Sequence, residues 1–289
     1  MPEKFYTQNQ LRDYSSLFSR GEAQAWLKKN FDSIDLKIRR YDDNWLKLKK
    51  ATYVDYLKHV YKILEDYYQN EYVFKNTFLN EWLIRELGQN GSKVFNEFRV
   101  GNAVADLVIF NGHSKAFEIK TEYDSKSRLK LQLENYSKAF NQIFLIVPES
   151  KISLYEGYNT LGLISYRKDF NQKLTLIRDA EVSSVVDAEV IMHILHTQEY
   201  KNIVELYYGS LPQMTSFNQF RKCFKLIEKM PNEELNRHFI RQMKKRDLDY
   251  LMSRRYYKEL NQLSLALRLN KQERNDLIQN LKTSLNTNT

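Results

Sequence analysis

The sequence predicts a mixed α/β protein, with a central mixed sheet flanked by helices and further helical regions before and after it. Three observations carry this. Glycine (8) and proline (4) are scarce among 289 residues, as in helix-rich chains. Gly88, Gly91, Gly101 and Gly112 fall within one short stretch, which also holds the clearest strand patterns. Around that stretch the order of patterns is helix, three strands, helix, strand, the order of an α/β core.

The elements follow in turn. Residues 1–70 read as helical, with amphipathic segments over 22–29 and 46–68. In the second, Leu57, Val60, Tyr61 and Leu64 recur at helical spacing. Tyr53, Tyr56, Tyr61, Tyr67 and Tyr68 are read as packing residues ahead of base-stacking ones. A helix over 74–87, with Phe78, Trp82 and Leu83 on one side, ends at a capping Gly88. Strands are predicted over 94–100, 104–110 and 115–121, with a two-residue hairpin turn at Asn111-Gly112. A helix over 128–140 and a buried strand over 142–147, stopped by Pro148, come next. Further strands are predicted over 162–166 and 174–178. Beyond residue 187 the pattern is helical throughout, over 187–208, 215–229, 232–245, 254–268 and 271–284, with Pro212 and Pro231 in the breaks. Three regions result: 1–70, helical; 71–180, the α/β core; and 181–289, helical and basic.

Composition narrows the function. With 42% hydrophobic and 28% charged residues, the chain reads as a soluble globular protein. No run approaches the ~18 apolar residues of a membrane helix. The first ten residues are polar and carry no apolar signal segment, so a cytoplasmic protein without a membrane partner is expected. Cys223 is the single cysteine, which excludes an intrachain disulfide and a multi-cysteine zinc site. The net charge is +9, and residues 221–289 hold 16 basic against 8 acidic residues. Arg221, Lys222, Arg241, Lys244, Lys245, Arg246, Arg254 and Arg255 form its dense groups. Such clustering points to a polyanionic partner, nucleic acid first. The competing reading is a protein-partner or homo-oligomer surface, anchored by Leu260, Leu263, Leu267 and Leu277.

The chemistry-bearing residues lie in the core region. Asp106 interrupts an otherwise apolar strand, where a carboxylate is costly unless it is paired or binds a metal. Glu118 and Lys120 flank Ile119, so they project from the same face of the third strand. The hairpin sets them beside Asp106. Two carboxylates supply hard oxygen ligands for Mg²⁺ or Mn²⁺, and the ammonium fits beside an attacking water and a phosphate. A cross-strand salt bridge on a solvated face is the plainer alternative. On the next helix, Arg128, Gln132 and Tyr136 recur every four residues as a polar stripe. Leu129, Leu133 and Phe140 form the apolar stripe beside it. His193 and His196 stand three apart on a predicted helix and read as a packed or surface pair; His113 reads as a turn residue.

The run Phe117-Glu118-Ile119-Lys120-Thr121, followed by Asp124, Arg128-Leu129, Gln132, Tyr136 and Phe140, resembles the PD-(D/E)XK nuclease superfamily. It is most similar to stand-alone bacterial and phage members with an Asp strand, a Glu-Ile-Lys strand, Arg-Leu and a Gln-X-X-X-Tyr helix. The resemblance covers about 73–179 and extends more weakly to about 247. It implies a restriction-endonuclease-like sheet and a metal-dependent deoxyribonuclease. Asp106, Glu118 and the Ile119 carbonyl would bind the metal, with Glu81 completing the site and Glu86 or Glu97 as alternatives. Lys120 would activate water, and Gln132 and Tyr136 would orient the lysine and the phosphate. Arg128, Lys244, Lys245, Arg246, Arg254 and Arg255 are the candidate nucleic-acid contacts. Ala105 stands where the superfamily often has proline. The alternative is a catalytically inactive nuclease fold that binds nucleic acid or a protein.

Overall fold

A computed structural model describes residues 6–48, 50–83, 92–122, 124, 127–167, 173–246 and 256–285. The first helices are α1 (Gln8–Ser16), α2 (Arg20–Leu27), α3 (Asp32–Tyr41), α4 (Tyr53–Tyr67) and α5 (Glu71–Phe78). Strands β1 (Lys93–Val100), β2 (Ala103–Phe110) and β3 (Ser114–Ile119) follow, then α6 (Leu129–Tyr136), β4 (Gln142–Pro148), β5 (Gly162–Tyr166) and β6 (Leu174–Arg178). The chain continues with α7 (Ala188–Ile194), α8 (Thr197–Tyr208), α9 (Gln219–Ile227), α10 (Asn232–Lys245), α11 (Asn261–Ala266) and α12 (Lys271–Leu281).

The protein is mixed α/β, and it divides into two compact units. One comprises the described residues of Met1–Arg85, Lys168–Lys173 and Leu248–Thr289; the other those of Glu86–Arg167 and Leu174–Asp247. This grouping differs from the three sequence regions. The described residues 256–285 join the N-terminal helices, whereas α7 to α10 join the sheet.

The sheet has six strands in sequence order. β1, β2 and β3 are antiparallel neighbours, β3, β4 and β5 run parallel, and β6 returns antiparallel to β5. Every residue of β4 is buried, which explains its unbroken apolar run Ile143-Phe144-Leu145-Ile146-Val147. Between β2 and β3 the register places Leu107 opposite Phe117 and Phe110 opposite Ser114. The connection is therefore the three residues Asn111, Gly112 and His113, one more than the predicted two-residue turn. Asn111 N–H donates to the His113 carbonyl at 3.1 Å, and Gly112 takes a φ of +129°. The β1–β2 turn needs Gly101, whose φ is +54° and whose Cβ would collide with the Asn135 amide. Asn135 instead accepts from Asn102 N–H at 3.4 Å, which ties that turn to α6.

The helical unit has its own core. Tyr14, Trp26, Ile34, Tyr53, Tyr56, Val60 and Leu64 pack with Leu260, Leu263, Leu277 and Leu281. Tyr53 stacks on Phe31 with ring centroids 4.1 Å apart. The buried carboxylate of Asp42 accepts from the Tyr14 hydroxyl and, at 3.0 Å, from the Tyr56 hydroxyl. Tyr53, Tyr56 and Tyr61 are thus packing residues. The C-terminal segment is stitched to the N-terminal one. Thr52 bridges antiparallel to Ser284, Tyr53 N–H donates to the Thr283 carbonyl at 3.2 Å, and Leu285 N–H donates to that of Ala51 at 3.0 Å.

Several expectations need correction. Leu260, Leu263 and Leu277 are buried in that core and Leu267 packs against it, so they are not anchors of an exposed partner surface. The predicted helix 187–208 is two helices, broken at Leu195-His196, where Glu199 accepts from His196 N–H at 2.7 Å and starts α8. The described part of 254–268 is a short 3₁₀ turn, Lys258–Leu260, followed by α11. Gly88, Glu86, Arg254 and Arg255 lie outside the described residues. No helix among the described residues is long and apolar enough to cross a membrane.

Candidate functional site

Asp106, Glu118, Lys120, Gln132 and Tyr136 all belong to the sheet unit, and the structure brings them together. The ladder pairing Leu107 with Phe117 sets Asp106 and Glu118 next along the two strands, on one face. Asp106 Oδ2 accepts from Ile119 N–H at 2.8 Å, so its side chain reaches across to β3. Lys120 lies one residue beyond β3 and still belongs to the sheet, its N–H donating to the Ile146 carbonyl at 2.9 Å.

Glu118 and Lys120 are 3% and 6% exposed, so neither charge can rely on water. Lys120 Nζ donates to Glu118 Oε1 at 2.8 Å and to Gln132 Oε1 at 3.0 Å. Gln132 Nε2 donates to the same Glu118 oxygen at 2.6 Å. Gln132 thus grips both charged partners with the two ends of one amide. The Tyr136 hydroxyl lies 2.7 Å from both Glu118 Oε2 and the Val104 carbonyl. A phenol has one proton for these two acceptors. A proton on Glu118 Oε2 would satisfy both, by donating to the phenol while the phenol donates to Val104. Burial pushes the Glu118 carboxyl above its ordinary value, and Asp106 pushes it further against the pull of Lys120 and Tyr136. Burial and the neighbouring Glu118 likewise raise the Tyr136 phenol.

The sequence explains how α6 delivers these groups. Gln132 and Tyr136 are one helical turn apart, while Leu129 and Phe140 are buried beside them and hold the segment down. The helix is shorter than predicted at both ends. Arg128 is its exposed N-cap residue, and the chain past Tyr136 continues as turns. Asp124 Oδ2 accepts from Thr121 N–H and Thr121 Oγ1, both at 2.7 Å, which fixes the backbone leaving Lys120. The Val104 carbonyl was not legible in sequence, because a backbone acceptor carries no residue signature.

The donor set fits a hard divalent cation. Asp106 and Glu118 offer two neighbouring carboxylates that repel each other, and Mg²⁺ is commonly held by one or two carboxylates plus water and substrate phosphate. Among the described residues no group of three or more His, Cys, Asp or Glu side chains is assembled for a metal. Glu81, expected to complete the site, belongs to the helical unit, in a π-helical turn Leu79–Leu83. Its surroundings include Lys173, Glu65 and Lys258, and burial raises its carboxyl. Glu97 is exposed on β1 with a φ of +50°.

The expected nucleic-acid residues divide. Lys245 is exposed and Lys244 half-buried at the end of α10. Arg246 is a correction. Its guanidinium donates to both oxygens of Glu199 at 2.6 Å and to the Ile194 carbonyl at 2.9 Å. Both side chains are mostly buried, so Arg246 is a structural cation within the sheet unit. His193 lies against Phe220, ring centroids 5.2 Å apart, and His196 precedes α8.

A protein-family profile described as Bacteriophage P4 protein cII matches residues 64–282. Protein cII of Enterobacteria phage P4 is 27% identical over 134 residues, covering 45% of this chain and 51% of its own length. The chain thus spans about half the length of that relative. Among solved structures, the SPO1766 protein of unknown function from Silicibacter pomeroyi aligns over 48% of this chain and 94% of its own, with 14% identity and a TM-score of 0.31.

Proposed function

The chain belongs to the bacteriophage P4 protein cII family, and from the site that it builds we infer a metal-dependent nuclease of PD-(D/E)XK type, acting on DNA ahead of RNA. One observation carries this reading: a buried lysine ammonium held 2.8 Å from Glu118 and 3.0 Å from Gln132, on the face that also presents Asp106. A surface salt bridge has no need of a half-buried amide gripping both partners of a buried pair.

Asp106, Glu118 and the Ile119 carbonyl would hold Mg²⁺ or Mn²⁺. When bound, the cation supplies Lewis acidity toward phosphate and lowers the pKa of bound water. The chain's own residues do the positioning. An ammonium has three protons, and among the described residues two are taken by Glu118 and Gln132, which aims the third at a water or phosphate oxygen. Gln132 fixes that direction. Tyr136 fixes the second oxygen of Glu118, anchored on the Val104 carbonyl of β2.

One observation favours the alternative, an inactive nuclease-fold module that binds nucleic acid or a protein. Both oxygens of Glu118 are already engaged in protein hydrogen bonds. Incubation of supercoiled plasmid with the full chain and Mg²⁺ or Mn²⁺ separates the two. Nicking that disappears in Asp106→Ala supports the enzyme, and an intact plasmid bound by the chain supports the module.

A further inference from the structure

We propose that a basic cleft between the β2–β3 turn and α10 holds the phosphate backbone of the nucleic acid, so that Arg241, Lys244 and Lys245 anchor substrate at the far end of β3 from Lys120. This rests on the nuclease reading and names the surface through which that site would receive its substrate.

A cleft of about 370 Å³ is lined by Gly112, Arg237, Ile240, Arg241, Lys244 and Lys245. Four of these six carry positive charge and none is acidic. Their spacing follows from the helix. Residues 237, 241, 244 and 245 recur every three or four positions on α10, so they share one face. Leu235, Phe239, Gln242 and Met243 are buried, and Phe239 meets Phe110 of β2 with ring centroids 5.5 Å apart. The contact presses α10 onto the sheet and leaves Arg237, Arg241 and Lys245 exposed. Arg237 is already engaged by Glu234, whereas Arg241, Lys244 and Lys245 are the cations that the cleft concentrates. An adjoining cavity of about 220 Å³ is lined by Asn236, among others, and the Oδ1 of this buried amide has no partner among the described residues.

The cleft is the right kind of surface for a repeating polyanion. Several cations within one or two helical turns match phosphates that recur roughly every 3.4 Å of helix axis along a strand. Lys120 stands about six residues from Ser114, the residue that opens β3. At ~3.3 Å per residue this is roughly 20 Å, or about six nucleotides of one strand. Substrates much shorter than that would lose the anchor.

The test is anisotropy of a labelled 20-base-pair duplex with the full chain in EDTA across a salt series, beside plasmid nicking with Mg²⁺. The variant Arg241→Ala/Lys244→Ala/Lys245→Ala should bind at least about tenfold more weakly near 0.1 M salt. Its log–log salt slope should flatten by up to ~3 units. Arg221→Ala/Lys225→Ala/Lys229→Ala removes the same charge elsewhere in the unit and should keep the parent slope. Arg241→Glu/Lys245→Glu, at two exposed positions, should weaken binding further with an unchanged circular dichroism spectrum. Equal slopes for the parent and the cleft variants, or equal losses in both triple variants, overturn the cleft. If the parent cuts plasmid while the cleft variants bind as the parent does, the cleft alone falls. A parent that neither binds nor cuts takes the nuclease reading down with it.

Discussion

Tyr136 has two roles that one substitution separates. Its ring is buried against Phe140, while its hydroxyl meets Glu118 and Val104. Tyr136→Phe keeps the ring and removes a buried hydrogen bond, so stability should fall by about 1 kcal/mol. The nicking rate should fall more steeply, because Glu118 loses the group that orients it. A stability loss with an unchanged rate, read by denaturant melts beside plasmid assays, would make Tyr136 a packing residue only. Arg246 shows the opposite limit of sequence reading. Its place in a basic cluster predicted a phosphate contact, but Glu199, 47 positions earlier, claims it. Burial, the largest single influence, raises the Glu199 carboxyl, yet the Arg246 hydrogen bonds and charge together with the His196 N–H outweigh it and hold the group below its ordinary value. Arg246→Ala should cost about 2–3 kcal/mol by leaving a largely buried carboxylate unpaired. A lowered acid stabilises the fold above its unfolded pKa and ceases to do so as pH falls through the folded value. In the variant, burial raises the unpaired Glu199, so the gap between parent and variant, measured by urea melts, should be widest near neutral pH, begin to shrink above about pH 4.3 as that carboxyl protonates, and shrink further below it. DNA affinity and its salt slope should be those of the parent; a flattened slope would return Arg246 to the interface.

At the scale of the element, the strands and the shared face of Glu118 and Lys120 were legible because period-two patterning and turn residues are local signals. The alternation around Glu118-Ile119-Lys120 set both charges on one face, and α10 begins and ends where the sequence placed it. What was not legible depended on distant partners. The exception is the break within 187–208, where neither glycine nor proline stands at Leu195-His196 and the signal is local: Glu199, three residues on, caps the His196 N–H. The leucines after residue 258 have helical spacing suited to a partner surface or to a core, and only the fold shows that they pack with N-terminal helices. The β1–β2 turn gives a further test. Gly101→Ala puts a side chain at a left-handed φ and against Asn135, so it should destabilise the sheet unit by about 1–2 kcal/mol and disturb α6. A melt unchanged from the parent would show that the turn does not constrain the helix.

At the scale of the molecule, the two chain ends build one unit. Leu263, Leu277 and Leu281 fill the core of the N-terminal helices, and the Thr52–Ser284 bridge ties the strand-like segments at either end. A chain cut after residue 256 should lose the cooperative melt of the helical unit and become protease-sensitive within residues 6–83. Parent-like protection there would show that the N-terminal helices fold alone. The nuclease chemistry would belong to the sheet unit, and it stands or falls on metal-dependent plasmid cleavage by the parent beside Asp106→Ala, Glu118→Ala and Lys120→Ala. Nicking is expected with Mg²⁺ or Mn²⁺ and none in EDTA, with each variant slowed by about 10²–10⁴-fold or more while keeping a parent-like circular dichroism spectrum. A folded parent that cuts nothing with either metal, or an Asp106→Ala variant that cuts as fast as the parent, would contradict the nuclease reading.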